Sequence, residues 1–164
     1  YHKERKLPVI IVRLFNTVGP RQTGQYGMVL PRFVRAALRG EPIRVYGDGQ
    51  QTRCFCNVSD VVEAICTLSD VPGAVGQVFN IGSTEEIAIA DLAQRVRSRA
   101  NSESEIQLIP YEQAYEAGFE DFRRRVPSLD KIRAAVEWEP TTSLDTTIDQ
   151  IIDYYREELK HGRD

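Results

Sequence analysis

Residues 7–14, with the sequence LPVIIVRL, decide the fold class of this chain. A β-branched apolar run of this length is typical of a parallel strand that is covered on both faces. The polar residues His2 to Lys6 in front of it resemble the end of a helix. A helix that leads directly into such a strand predicts an α/β fold built on a βαβ sheet, of which this chain holds only part.

Helical and strand periodicities alternate along the rest of the chain. Helical spacing of apolar residues predicts helices over 28–38, 90–99 and 144–159, and strands are predicted at 43–46, 77–81 and 106–109. Ser128 is predicted to cap a short helix that ends near Trp138. No internal repeat interrupts this order, so we expect one compact unit of mixed α and β elements over residues 1–164.

A strand is also predicted over 52–58, where the alternation places Cys54, Cys56 and Val58 on the inner face. Arg53, Phe55 and Asn57 would then point outward. Asp60 and Glu63 have the spacing of a capping box and predict a helix that begins at Asp60.

Composition places the chain among ordinary globular proteins. Its 164 residues are 41% hydrophobic and 27% charged, which disfavours disordered, collagen-like and disulfide-scaffold classes. The net charge of −3 conceals an uneven distribution, because residues 1–53 carry +7 and the remainder carries −10. This basic N-terminal third predicts an anionic ligand.

Several kinds of protein are excluded by what the sequence lacks. No apolar run approaches the roughly 20 residues of a membrane helix, and we expect a cytoplasmic protein. The three cysteines, Cys54, Cys56 and Cys66, lack paired zinc-site spacing, so buried free thiols and no metal site are expected.

Two catalytic or cofactor motifs are approached but not completed. Residues 47–52 resemble a dinucleotide phosphate loop, but Thr52 replaces its third glycine and a strand follows, so a tight turn between strands is predicted. Tyr1 has Arg5, not lysine, four residues on. The chain is therefore expected to contain no catalytic residue of its own.

Arginines beside loops are the remaining candidates for binding. Arg21, Arg53 and the run 123–125 could each direct a guanidinium group at phosphate oxygens. Arg32, Arg35 and Arg39 have helical spacing opposite an apolar stripe and are predicted to form a solvated face.

Four segments give the chain a resemblance to a known family. They are RLFNTVGPR at 13–21, VYGDGQQTR at 45–53, FNIG at 79–82 and RVPSLDK at 125–131, followed by WEP at 138–140. In order and spacing they resemble the C-terminal half of the extended short-chain dehydrogenases. Among these enzymes they are most similar to the NAD-dependent nucleotide-sugar epimerase/dehydratase family. The resemblance implies that the NAD-binding Rossmann part, its phosphate loop and a Tyr-x-x-x-Lys pair lie upstream of Tyr1.

The resemblance also implies roles for individual residues. Leu14 and Phe15 would reach the nicotinamide end of NAD, and Asn16 would hydrogen-bond the sugar nucleotide. Backbone N–H groups of Val29 and Leu30 would bind the diphosphate, and Val45 and Tyr46 would lie along a uracil base. Arg53 and Arg125 would clamp the diphosphate from opposite sides, with Arg124 as the alternative to Arg125.

The function implied is that of the UDP-sugar-binding part of a C4 epimerase that acts through a 4-keto sugar. A UDP-glucuronate decarboxylase and a sugar-nucleotide 4,6-dehydratase are alternatives within the family, although Ser128 stands where decarboxylases usually have aspartate. A module that binds nucleic acid or another anion without catalysis is the alternative from another class, which the acidic remainder disfavours. The expected partners are a nucleotide sugar, the protein's own NAD-binding part and a second copy in a homodimer, with neither nucleic acid nor a membrane.

Overall fold

Six α-helices and nine strands are present among the residues that the computed structural model describes, which are 1–22, 28–110, 113 and 122–162. In chain order they are α1 His2–Arg5, β1 Ile11–Leu14, β2 Thr17–Val18, α2 Val29–Arg39, β3 Ile43–Tyr46, β4 Thr52–Cys54, β5 Cys56–Asn57, α3 Val58–Ser69, a 3₁₀ turn Pro72–Ala74, β6 Val78–Ile81, β7 Glu86–Ala88, α4 Ile89–Arg99, β8 Ile106–Ile109, β9 Arg124–Arg125, α5 Asp130–Val136 and α6 Leu144–Lys160.

Two compact groups of residues divide the chain. Unit 1 comprises Tyr1–Thr17, Cys54–Glu86 and Val126–Leu144, and unit 2 comprises Val18–Arg53, Ile87–Arg125 and Asp145–Asp164. The expectation that the whole chain acts as one binding unit stays a prediction.

Unit 1 is built on the parallel pair β1 and β6, in which Ile11 is opposite Val78 and Leu14 is opposite Ile81. Its core is a cluster of buried side chains from α3, β6, α5 and the segment after α5, including Leu68, Phe79, Ile132 and Trp138. The predicted α/β class with a parallel sheet is confirmed. Ile11 is 51% and Leu14 is 46% exposed, so the described residues do not cover β1 on both faces as the sequence predicted.

Unit 2 contains the parallel pair β3 and β8 and a three-stranded sheet in the order β7-β4-β9. Helices α2 and α4 pack against each other and against β3. The apolar stripe predicted in the last helix is confirmed, because Ile148, Ile151 and Ile152 of α6 are buried. β8 lies over 106–109, as predicted.

The region around residues 52–60 differs from its sequence prediction. The strand is interrupted at Phe55, leaving the short strands β4 and β5, and α3 already begins at Val58. Asn57 caps this helix by accepting a hydrogen bond from the Ser59 N–H, so Asp60 is not the capping residue. Because the alternation breaks there, Phe55 and Asn57 are buried and Val58 is exposed, contrary to the predicted faces.

The cap of α5 also differs from its prediction. Leu129, not Ser128, is the N-cap residue. No side chain caps this helix, and the Ser128 hydroxyl instead donates a hydrogen bond to the Asp130 carboxylate. No helix among the described residues has the length and apolarity needed to span a bilayer.

Candidate functional site

Strands β4 and β9 bring together the two arginines that the sequence singled out. The strands are parallel, with Thr52 opposite Arg124 and Arg53 opposite Arg125. Residues at matching positions of neighbouring strands direct their side chains to the same face of a sheet. Arg53 and Arg125 therefore share one face, and Arg124 belongs to the other.

Hydrogen bonds to backbone carbonyls fix the position of the Arg53 guanidinium group. Its Nη1 donates to the carbonyl oxygen of Thr52 at 2.7 Å and to that of Phe122 at 2.8 Å. The side chain is half-buried. A guanidinium group held in this way loses less conformational entropy when it binds an anion than one that moves freely.

An ion pair holds the residue before β9 to the turn between β3 and β4. Nη1 of Arg123 is 2.6 Å from Oδ2 of Asp48, whose Oδ1 accepts a hydrogen bond from the Gln50 N–H. The hydrogen bond from Arg123 holds the pKa of the Asp48 carboxyl below its usual value. Three contacts thus position β9: this ion pair, the Arg53 bond to Phe122, and the Thr52 N–H bond to the Arg123 carbonyl at 2.8 Å.

The turn itself is the one predicted for residues 47–52. It lies between β3 and β4, and the left-handed backbone of Gly49 (φ 70°) favours glycine. A Cβ at Gly49 would also be only 2.8 Å from that of Ala90. The prediction of a tight turn in place of a phosphate loop is confirmed.

Tyr46, at the end of β3, has an arginine partner that the sequence did not predict. Its hydroxyl accepts a hydrogen bond from Arg32 at 2.8 Å, and the Arg32 guanidinium carbon is 5.3 Å from the ring centroid. The neighbouring Val45 has a fully buried side chain, so only its backbone could meet a ligand.

The predicted solvated face of α2 is correct only in part. Arg32 and Arg39 are exposed, but Arg32 contacts Tyr46, and Arg35 is half-buried with its guanidinium carbon 5.9 Å from the Tyr155 ring. Spacing along one helix could not predict these contacts because both tyrosines belong to other elements.

The N-terminus of α2 has the features of an anion site. Its N-cap residue, Met28, makes no side-chain capping bond, and no acidic residue is in the first turn. The first backbone N–H groups of a helix have no partner within it and lie at the positive end of the helix dipole. Those of Val29 and Leu30 can therefore donate to an anion, while the Leu30 side chain is buried.

Three further predicted site residues belong to unit 1, where β1 ends. The Phe15 N–H donates to the Ile81 carbonyl at 2.9 Å, and a Cβ at Gly82 would be 2.8 Å from the Phe15 Cβ. The carboxyl ends of β1 and β6 thus lie together, which is where α/β sheets bind ligands. Exposed Leu14 and half-buried Phe15 offer an apolar surface there, and this fits a nicotinamide ring.

Asn16 follows in a left-handed backbone conformation with φ 39°. Its Nδ2 donates to the Cys54 carbonyl at 2.7 Å, and its own carbonyl accepts from the Cys56 N–H at 3.2 Å. The amide is therefore fixed by the fold. Its Oδ1 accepts no hydrogen bond from any residue that the structure describes.

All three cysteines are free thiols. Cys54 and Cys56 are buried, but Cys66 is exposed on α3, which corrects the expectation of three buried thiols. Burial, with a smaller contribution from the charge of Asp60, raises the pKa of Cys56 to about 12. Cys56 is therefore a neutral thiol at physiological pH.

Sequence reasoning missed β9, although a local signal was present. Val126 precedes Pro127, and a residue before proline is disfavoured in the helical region. That signal favours an extended backbone near residues 124–126 but names no partner strand. The residues before it, 111–112 and 114–121, lie outside the described part of the chain.

The parallel strand pairs β1–β6 and β3–β8 agree with the α/β fold expected of the family that the motifs resemble. The family model described as GDP-mannose 4,6 dehydratase matches residues 1–151. The chain belongs to the NAD-dependent nucleotide-sugar epimerase/dehydratase family.

Individual relatives cover several reactions. The chain is 43% identical over 152 residues to the UDP-N-acetyl-alpha-D-glucosaminuronate decarboxylase of Bacillus cytotoxicus, covering 92% of this chain and 47% of that protein. It also resembles the UDP-glucose 4-epimerase of Thermotoga maritima, solved with UDP-glucose, with a TM-score of 0.85 and 28% identity, covering 96% of this chain and 49% of the other.

A third likeness is to the dTDP-glucose 4,6-dehydratase of Bacillus anthracis in complex with NAD. Its TM-score is 0.83 at 25% identity, and the match covers 98% of this chain and 48% of the other. The chain thus spans about half the length, or less, of the relatives that it matches.

Proposed function

We propose that this chain binds the nucleotide diphosphate of a UDP-sugar and positions the sugar for an NAD-dependent reaction at C4. The observation that carries the proposal is the pairing of Arg53 with Arg125 across β4 and β9. Two guanidinium groups on one face match the two phosphates of a diphosphate in charge. Each charge-assisted hydrogen bond to phosphate contributes roughly 1.5–3 kcal/mol.

Two further features of unit 2 complete the proposed nucleotide site. The backbone N–H groups of Val29 and Leu30 would donate to diphosphate oxygens, and the ring of Tyr46 would lie along the base. The Arg32 hydrogen bond to the Tyr46 hydroxyl supports this because it limits rotation of the ring. Binding energy from these groups, remote from the reacting carbon, can then be used to orient the sugar.

Leu14 and Phe15 would form the apolar surface against the nicotinamide, and the Asn16 amide would hydrogen-bond the sugar nucleotide. When bound, NAD supplies the hydride acceptor for oxidation at C4. This chain contributes orientation, and proton transfer is assigned to residues upstream of Tyr1, as the family resemblance implies. Pairing with an NAD-binding part and dimer formation stay predictions.

C4 epimerisation is the first candidate reaction. The likeness to an epimerase solved with UDP-glucose supports it. Decarboxylation of a UDP-uronic acid is the second candidate, favoured by the 43% identity to a decarboxylase. Both reactions need the same diphosphate and base contacts, so the proposed roles of Arg53 and Arg125 do not depend on which one occurs.

Product analysis of the natural full-length protein with NAD separates the candidates. Epimerisation predicts conversion of UDP-glucose to UDP-galactose, with no carbon dioxide released from UDP-glucuronate. Decarboxylation predicts a UDP-pentose and carbon dioxide from UDP-glucuronate. Failure to bind UDP, or tighter binding of single-stranded DNA than of UDP in the same buffer, would contradict the proposed function itself.

A further inference from the structure

A groove of about 390 Å³ lies on unit 2 between α2 and the start of β3. Four arginines line it: Arg32, Arg35 and Arg39 from α2, and Arg44 from β3. Glu41 is the one acidic residue among the lining side chains of the described structure, and Phe33 contributes apolar wall. We refer to it as the arginine groove.

The helical period of α2 and the strand period of β3 place the four arginines around this groove. The spacings of three and four between Arg32, Arg35 and Arg39 align them on one face of α2, over about 10 Å of helix axis. The helix ends at Arg39, and the left-handed backbone of its C-cap residue Gly40 (φ 68°) lets the chain return into β3. In that strand Ile43 and Val45 are buried, so the alternation directs Arg44 outward toward the same groove.

Positive charge exceeds negative charge around the groove, whose lining has four arginines and one glutamate. Among the residues that the structure describes, none of the ion pairs involves Arg32, Arg35 or Arg44. Guanidinium groups that have no ion-pair partner and lie around one cavity repel one another. Such a site attracts anions from solution.

Two of the four arginines are also oriented in advance. Arg32 is held by the hydroxyl and ring of Tyr46, and Arg35 lies over the ring of Tyr155. Tyr155 in turn donates its hydroxyl hydrogen bond to the Gln22 carbonyl at 2.6 Å, so its ring cannot turn away freely. Side chains that aromatic rings hold in place lose less conformational entropy on binding.

We propose that the arginine groove is a second anion site that binds a small molecule carrying two or more phosphoryl groups. The 10 Å span of the three helical arginines exceeds what one phosphate can reach, and the volume suits a small ligand. A nucleic acid needs a continuous basic track, whereas the rest of the chain is acidic. The groove shares Arg32 with the Tyr46 contact of the proposed UDP-sugar site, but Arg35, Arg39 and Arg44 have no role in that site, and its diphosphate anchors are Arg53 and Arg125.

Titration calorimetry of the full-length protein with inorganic tripolyphosphate tests this proposal. Saturating UDP is present so that the proposed diphosphate site is occupied, and Arg53→Ala serves as a second background in which that site is weakened. Arg35→Gln and Arg44→Gln are expected to weaken tripolyphosphate binding by about tenfold each, since each removes one charge-assisted contact. Arg97→Gln, an exposed arginine of α4, is the matched control and should leave the affinity unchanged.

Three results would overturn the proposal. The first is no tripolyphosphate binding in the presence of UDP. The second is binding that Arg53→Ala abolishes while both groove variants, folded by circular dichroism, leave it intact. The third is a groove-dependent affinity for a 20-nucleotide single strand that exceeds the affinity for tripolyphosphate. Loss of UDP binding in Arg53→Ala with tripolyphosphate binding retained would support both sites separately.

Discussion

Arg53 in β4 and Arg125 in β9 lie side by side at matching positions of two parallel strands, although 71 residues separate them in the chain. Arg124, one residue earlier, pairs with Thr52 and belongs to the opposite face. The register therefore distinguishes two adjacent arginines that the sequence left as alternatives.

We predict that Arg53→Ala and Arg125→Ala each weaken UDP binding by about tenfold or more, since each removes a charge-assisted contact to the diphosphate. Arg124→Ala is the control and should change the affinity less than about twofold. The double variant, with both Arg53→Ala and Arg125→Ala, should lose less affinity for UDP than the product of the two single-variant losses. Neighbouring groups that share a ligand are not independent. Calorimetric titration measures the UDP affinity of these four variants. Equal losses for Arg124 and Arg125 would contradict the register argument.

Gly82 should tolerate no side chain. A Cβ there would lie 2.8 Å from the Phe15 Cβ and 3.2 Å from Pro127 Cγ, so Gly82→Ala must displace Phe15 at the end of β1. We expect a loss of about 1–3 kcal/mol in the free energy of unfolding. We also expect a weaker affinity for NAD in the full-length protein. Urea denaturation and NAD titration measure the two effects.

Gly73→Ala is the matched control in the same unit, because a Cβ at Gly73 would meet nothing within 4 Å. It should leave both the unfolding free energy and the NAD affinity close to those of the unsubstituted protein. If Gly82→Ala behaved like Gly73→Ala, the close approach of Phe15 to Gly82 would have no energetic consequence.

Asp60 should be a major contributor to the stability of unit 1. Its buried carboxylate accepts hydrogen bonds from the Thr142 N–H at 3.0 Å, the Thr142 hydroxyl at 2.9 Å and the Thr141 hydroxyl at 3.3 Å. Asp60→Asn puts an amide donor among these donors, and we expect it to lower the unfolding free energy by about 2–3 kcal/mol. Urea denaturation should show this loss, while Asp70→Asn, at an exposed position, should change little.

The ion pairs between α4 and α6 should make stability depend on pH in acid. Arg99 Nε donates to Asp149 Oδ1 at 2.6 Å, and this hydrogen bond holds the pKa of the Asp149 carboxyl below its usual value. A carboxyl pKa that is lower in the folded state contributes stability above the unfolded-state value, near 4. That stability is lost as the pH falls through the folded-state value.

We therefore expect Arg99→Gln to lower the unfolding free energy at pH 7, by no more than about 1 kcal/mol because both side chains are partly exposed. The difference from the unsubstituted protein should shrink below pH 4, where Asp149 becomes protonated. Chemical denaturation at pH 7, 5 and 3 measures this trend, with Arg97→Gln as the control. A difference that stayed constant over this range would mean that Arg99 acts through packing alone.

The sequence by itself determined the α/β class, most helices and strands, the tight turn at residues 47–52 and the family. These depend on local patterns: a β-branched run at residues 7–14, helical spacing in α6, and glycines that permit a left-handed turn. Periods of two and 3.6 can be read from neighbouring residues without knowledge of the rest of the chain.

Only the tertiary structure decided that Arg125, and not Arg124, is at the position matching Arg53. β9 contains two residues with no periodicity to detect, and its register depends on hydrogen bonds to β4, such as that from the Thr52 N–H to the Arg123 carbonyl. The contact of Arg32 with Tyr46 likewise joins a helix and a strand through residues that are 14 positions apart. Such pairings follow from the packing and backbone hydrogen bonding of distant segments, for which the local order of residues carries no signal.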